Sequence, residues 1–157
     1  MGLTIVWKPV SGTPQITLND TVYPVDDNLE FEVEFSDNTV KRMQQGGEWP
    51  TFGYPGSCRV VVEGHILGAS KADYWSKRMA FLLAMTPPNV EQTHRHHGRL
   101  TITDTDATEP YFADCRVVSR SANFEPLSPE VGPFFVTFKA FVPYFYGVAS
   151  GREYVLG

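Results

Sequence analysis

A chain of 157 residues fits one domain, and folding at that size buries roughly 70% of the unfolded surface without needing disulfide staples. A formal charge of -5 excludes a protein that grips nucleic acid through a basic stripe. No window reaches the ~18 apolar residues of a membrane span, so membrane insertion is not expected.

The N-terminal MGLTIVWKPVSG has a lysine but no long apolar run behind it, which argues against a signal peptide. Val6 stands where N-myristoylation needs Ser or Thr. Short strands are expected at Thr4–Lys8 and Thr21–Val25, with a turn at Asn19–Thr21. LEFEVEF, Leu29 to Phe35, alternates strictly: Leu29, Phe31, Val33 and Phe35 share one sheet face, and Glu30, Glu32 and Glu34 share the other. Gln44–Ser57 (QQGGEWPTFGYPGS) holds four glycines, two prolines and three aromatics. Trp49, Phe52 and Tyr54 are rare in a disordered linker, so this segment reads as an extended arm whose aromatics need a partner surface. Cys58–Ile66 is a further alternating strand, with His65 on the polar face beside Arg59 and Glu63.

A helix is predicted over 71–85. Ser70 is its N-cap and Asp73 completes a short capping box. Ala72, Trp75, Met79, Leu82 and Leu83 recur at helical spacing as the face expected to pack on the sheet, and Thr86-Pro87-Pro88 ends the helix. Strands follow at Arg99–Thr103, Tyr111–Arg120 and Pro133–Val142. In the last, Phe134, Val136, Phe138 and Ala140 point one way, while Phe135 and Phe141 lie beside Thr137 and Lys139 on a face suited to meeting another subunit. A short tail covers 148–157. Cys58 and Cys115 share no CxxC spacing and read as buried, reduced residues. The sum is a single mainly β domain, an antiparallel β-sandwich or partial barrel with one α-helix packed on it and a long arm at 44–57.

Three stretches invite a chemical reading. In EQTHRHHGRL, His94 and His96 alternate as a metal pair can, and Asp104 or Asp106 could supply a third ligand. The plainer reading of His94, His96 and His97 is a polar hairpin arm meeting solvent or a neighbour's carboxylates. Glu30, Glu32 and Glu34 stack along one strand, whereas glycosidase carboxylates face each other across a substrate; a solvated face or an acidic oligomer lining fits better. TDTDATE, Thr103 to Glu109, lacks the glycine and the bidentate glutamate of a calcium loop and reads as a hairpin turn. No nucleophile elbow, phosphate loop or dinucleotide fingerprint is present. Neither catalysis nor a metal or cofactor is expected.

The order of features carries more than any motif. The acidic alternating strand and long loop are followed by RVVVEGHILGAS, which runs into SKADYWSKRMAFLLAM. GRLTITD and YFADCRVVSRSANF come next, and GPFFVTFKAFVPYFYG closes the series. This series resembles the N-terminal domain of the distal tail proteins of long-tailed bacteriophages, a family related to tail tube proteins. The matching positions are Arg59, Gly64, Ile66, Leu82, Leu83, Leu100, Pro143, Tyr144, Tyr146 and Gly147, within a resemblance spanning roughly 29–147. Many members carry a second, carbohydrate-binding-like domain, and the few residues after Gly147 leave that domain out of this expectation.

The resemblance implies a homohexameric ring at the tail tip of a virion, made and assembled in the host bacterial cytoplasm. Its partners are the tail tube protein and the tail-tip hub, and DNA is present only in transit through the lumen. Trp49, Phe52 and Tyr54 then suit a hook onto the next subunit, with Gly46, Gly47, Gly53 and Gly56 allowing its bends. Glu30, Glu32 and Glu34 become candidates for a phosphate-repelling lumen wall. The competing expectations are a tube subunit of the same fold and a soluble carbohydrate-binding β-sandwich; a metal enzyme built on the histidines ranks behind both.

Overall fold

The computed structural model describes residues 2–10, 14–36, 39–41, 48–50, 54–86, 97–124, 131–154 and 156. In chain order the elements are β1 (Thr4–Pro9), β2 (Ile16–Leu18), β3 (Val25–Ser36), β4 (Thr39–Lys41), β5 (Glu48–Pro50), β6 (Tyr54–Leu67), α1 (Lys71–Ala84), β7 (Gly98–Thr103), β8 (Tyr111–Ala122), β9 (Val131–Ala140), β10 (Phe145–Gly147) and β11 (Glu153–Tyr154). The main sheet runs β2-β1-β7-β8-β9-β6-β3; β10 adds to β8 and β11 adds to β10, while β4 and β5 form a separate ladder. Every pairing is antiparallel. The sheet curls until it is nearly closed, and α1 lies against β6, β8 and β1. This is the mainly β partial barrel with one packed helix that the alternating runs predict.

The interior is aromatic. Trp7 of β1 meets Phe138 of β9 with ring centroids 4.8 Å apart, and Phe81 of α1 meets Phe134 at 4.8 Å. Phe134, Val136, Phe138 and Ala140 all face this core, as their alternation requires. Cys58 and Cys115 are buried free thiols, each opposite Ala140 from its own side of β9. Two strand spacings put their Cα atoms roughly 9–10 Å apart, beyond the ~7 Å a disulfide spans. Burial pushes both thiol pKa values up.

Several boundaries differ from the sequence expectation. The strand expected over Thr21–Val25 is a turn up to Pro24, and Val25 instead opens β3: the Asp20 carboxylate accepts the amides of Val22 at 2.9 Å and Tyr23 at 2.7 Å, and Asn19 takes the left-handed φ of 62°, so the chain turns there. Gln44–Ser57 is less irregular than expected. Glu48–Pro50 pairs with Thr39–Lys41, and Tyr54–Ser57 opens β6 against β3. The register shift between Glu34 and Phe35 falls where Pro55 cannot donate to the ladder. The tail expected over 148–157 folds back, and Glu153–Tyr154 pairs with β10.

The helix starts as predicted. Ser70 Oγ accepts the amide of Asp73, and the Asp73 carboxylate in turn accepts Ala69 N at 2.8 Å, one residue before the cap. Its packing face is rotated from the expected one: Trp75 and Leu82 still pack against the core, from its margin. Tyr74, Phe81 and Ala84 are buried, with Met85 just beyond, while Met79 is 54% and Leu83 59% exposed. Trp7 Nε1 donates to the Ala84 carbonyl at 2.8 Å, and Tyr23 Oη donates to the Lys77 carbonyl at 2.8 Å. These bonds pin the Tyr74–Phe81 side inward. Apolar residues run around most of the last two turns, and periodicity alone placed the centre of the packing face about a third of a turn off, keeping Trp75 and Leu82 but not Met79 and Leu83.

Candidate functional site

The acidic row and the closing signature fall on two surfaces, the outer sheet face and the β10 strand. On the outer face, Glu30, Glu32 and Glu34 of β3 point the same way, opposite Val61, Arg59 and Ser57 of β6. Glu34 is the anchored member: it accepts Ser57 Oγ at 2.7 Å and pairs with Arg59 at 3.0 Å and Lys139 at 3.6 Å. The Ser57 hydroxyl and the two cations hold its pKa below the usual carboxylate range. Glu30 and Glu32 are exposed and take no ion pair among the described residues. Arg59, Lys139 and Arg116 line up across β6, β9 and β8. The face is therefore mixed, acidic at its β3 edge and basic in its middle, a pattern the lone β3 alternation did not reveal.

The signature segment splits between inside and outside. Phe145 is fully buried and meets Phe31 of β3 edge-on at 5.9 Å, so β10 bridges toward the free end of the sheet. Tyr144 and Tyr146 stay at the surface, 5.5 Å apart. Tyr146 also meets Phe112 at 5.7 Å, and Phe112 lies beneath Arg99, which is ion-paired with Asp114 at 2.9 Å. The neighbouring Tyr146 hydroxyl and, behind it, Glu153 raise the Tyr144 pKa. Pro143 is half-buried just before this pair. A Cβ on Gly147 would stand 2.2 Å from the Glu109 carboxylate, and one on Gly64 would stand 2.2 Å from Pro24 O and 2.9 Å from the Phe134 ring. Both glycines mark close approaches.

Glu109 was missed at the sequence level. Its carboxylate gathers the amides of Ala149 at 2.8 Å and Ser150 at 2.9 Å, the Ser150 hydroxyl, and the Tyr154 hydroxyl at 2.8 Å. These donors, Ser150 foremost, pull its pKa down to about 2. They lie some forty residues away in sequence, beyond any local signal. Asp104 and Asp106 of the same run make the expected turn, with Asp106 N bonded to Asp104 Oδ1 at 2.9 Å.

The arm residues are only partly placed. Trp49 lies in β5 and Tyr54 opens β6, whereas Phe52 falls outside the described residues, as do His94 and His96. His97 serves the ladder. Its Nδ1 accepts the Val117 amide at 3.2 Å, while its backbone amide donates to Cys115 O at 2.8 Å. The ring continues the β7 edge for one more rung, and an accepting Nδ1 cannot carry a proton.

Among the described residues, the two main grooves gather no reactive constellation. A shallow groove of about 240 Å³ holds the exposed His65–Asp26 pair at 3.1 Å with Glu63 and Ser121 nearby. A more apolar one of about 370 Å³ lies between β2 and α1, lined by Ile16, Tyr23, Ala80, Leu83 and Ala84 among others. Among the described residues no group of three or more His, Cys, Asp or Glu is placed to hold a metal, and no helix is long and apolar enough to cross a membrane.

No family profile and no curated protein matches the sequence. Solved structures do match the fold. The distal tail (Dit) protein of phage SPP1, described as a paradigm of the hub adsorption apparatus in phages infecting Gram-positive hosts, superposes with a TM-score of 0.56 at 14% identity, over 92% of this chain and 52% of its own. A chain of the phage p2 baseplate, solved in its activated conformation with strontium and again with calcium, gives a TM-score of 0.50 at 10% identity, over 87% of this chain and 43% of its own. The chain thus spans about half the length of these two proteins. Its fold is that of the phage distal tail proteins, the family its order of strands, helix and closing aromatic strand resembles.

Proposed function

We propose that this chain is a structural subunit of a phage or prophage-derived tail, and that it forms a hexameric ring at the distal tip. The ring joins the tail tube to the baseplate or tail-tip hub and leaves a channel for DNA. One observation carries the reading: the nearly closed sheet with its single packed helix follows the SPP1 distal tail protein over 92% of this chain. The chemistry is in keeping, because the two grooves hold an exposed His65–Asp26 hydrogen bond and an apolar slot rather than a poised nucleophile. The partners in this reading are further copies of the chain, the tube protein and the hub protein; the protein resides in the virion and is assembled in the host cytoplasm.

Two finer assignments belong to the same proposal. The segment carrying Trp49, Phe52 and Tyr54 hooks the next subunit. The outer sheet face lines the bore, where Glu30 and Glu32 supply the repulsion of phosphate and Glu34 is largely spent on Arg59 and Lys139. The deciding experiment is light scattering across a concentration series, with negative-stain images of the same samples. Closed rings of six subunits support the distal tail reading. Long tubes assign a tube subunit instead, and a monomer that binds glycans at every concentration returns the chain to the carbohydrate-binding class.

A further inference from the structure

Three cations stand abreast on the outer sheet face. Arg59 of β6 is directly opposite Lys139 of β9, and Lys139 is directly opposite Arg116 of β8. Neighbouring strands lie roughly 4.8 Å apart, and like charges set directly opposite one another destabilise a sheet. The row is within reach of solvent: the Arg59 side chain is 44% exposed and that of Lys139 28%. Clustered Lys and Arg side chains on an open face are what a phosphate backbone binds.

One carboxylate covers this row. Glu34 Oε1 pairs with Arg59 Nε at 3.0 Å, and its Oε2 accepts the Ser57 hydroxyl at 2.7 Å while facing Lys139 Nζ at 3.6 Å. Neither Arg59 nor Lys139 makes another ion pair among the described residues. Arg116 lies against the Phe141 ring, 5.1 Å from its centre. Two features fix Glu34 in place. The β3–β6 register shifts immediately after it, an irregularity of the kind that re-aims a side chain. Ser57, which donates to it, is a buried hydroxyl. Glu32, in contrast, stands directly opposite Arg59 and makes no ion pair with it.

We propose that Glu34 is a charge mask, neutralising the Arg59–Lys139–Arg116 row so that this face does not hold the phosphates of passing DNA. Glu30 and Glu32 act in another way. They contribute a field that physiological salt screens within about 8 Å, whereas Glu34 occupies the binding cations by contact. The mask therefore decides adhesion, and the exposed carboxylates act on approach. Its role in transit rests on the proposal that the outer face lines the bore; the masking itself is a property of the single subunit.

The test is fluorescence anisotropy of a short DNA duplex titrated with the full-length wild type, Glu34→Gln, Glu30→Gln and the double variant Glu34→Gln/Lys139→Gln. The two single variants change net charge equally, and glutamine keeps an acceptor for the Ser57 hydroxyl. Part-exposed ion pairs contribute little to stability, and a thermal melt checks that the fold is kept. Glu34→Gln should gain DNA affinity that Glu30→Gln does not. The gain should fall about tenfold between about 50 and 200 mM salt, as for two phosphate contacts, and vanish in the double variant. Equal binding by Glu34→Gln and Glu30→Gln would overturn the proposal, and so would a gain that survives in the double variant or a wild type that already binds as tightly. Light scattering on the wild type keeps the two claims apart: rings of six with no gain in Glu34→Gln refute the mask alone, and the gain without rings supports the mask and refutes the hexamer alone.

Discussion

Phe145→Ala tests whether the closing signature is a structural plug. Phe145 is 0% exposed, so the substitution removes a whole buried ring and leaves a cavity lined in part by Phe31, 5.9 Å away. Deletions of this kind cost about 3–5 kcal/mol. For a domain of this size each kcal/mol lowers Tm by roughly 2–4 °C, so the expected drop is roughly 6–20 °C. Urea unfolding followed by Trp fluorescence gives the free energy, and a thermal melt gives Tm. Phe141→Ala, at a ring 50% exposed, is the control and should cost less than about 1.5 kcal/mol. A double-mutant cycle with Phe31→Ala should return a coupling of about 0.5–1.5 kcal/mol for the edge-on pair. A Phe145→Ala loss below about 1 kcal/mol would mean that β10 is not seated and that the signature's role lies outside the core.

Gly64→Ala drives a methyl against the Pro24 carbonyl oxygen, a backbone atom, and the Phe134 ring and should cost about 1–3 kcal/mol in the same urea assay; an unchanged stability would mean the strand gives way there. Glu109 has a folded pKa of about 2 against an ordinary 4.5, so its contribution is complete above the ordinary value and disappears as pH falls through the folded one. Tm of the wild type should therefore decline across that acid window, and Glu109→Gln, with its donors only partly satisfied, should start lower and decline less steeply. His97→Ala strips the acceptor from Val117 N; an unsatisfied amide costs about 1–3 kcal/mol, and hydrogen exchange should show the Val117 amide losing protection. Full protection of that amide in the variant would show that the imidazole bond is dispensable.

Much of the barrel was legible because it is written in period two. LEFEVEF, CRVVVEGHI and PFFVTFKAFV each set their faces correctly: Val60, Val62, Val136 and Phe138 are buried where the alternation puts them. Ser70 as N-cap was equally local. What the sequence withheld depends on distant partners. Glu109 is organised by Ala149, Ser150 and Tyr154, and Glu34 is drawn down by cations on β6 and β9. Thr21–Val25 looked like a strand because its β-branched residues favour one, yet the Asp20 carboxylate competes for the backbone amides and wins. Pro50 and Pro55 suggested irregular chain, but both sit where a short ladder or a register shift excuses a missing donor.

The misreading of α1 has a physical meaning. A helix on a monomeric domain needs one apolar stripe; on this one the core takes Tyr74, Phe81 and Ala84, Trp75 and Leu82 pack at its margin, and Met79 and Leu83 are left exposed. Exposed apolar patches on that scale are retained where something covers them. The same reasoning applies to β3, whose Leu29, Phe31 and Val33 form a proper core row that the lone chain covers only in part.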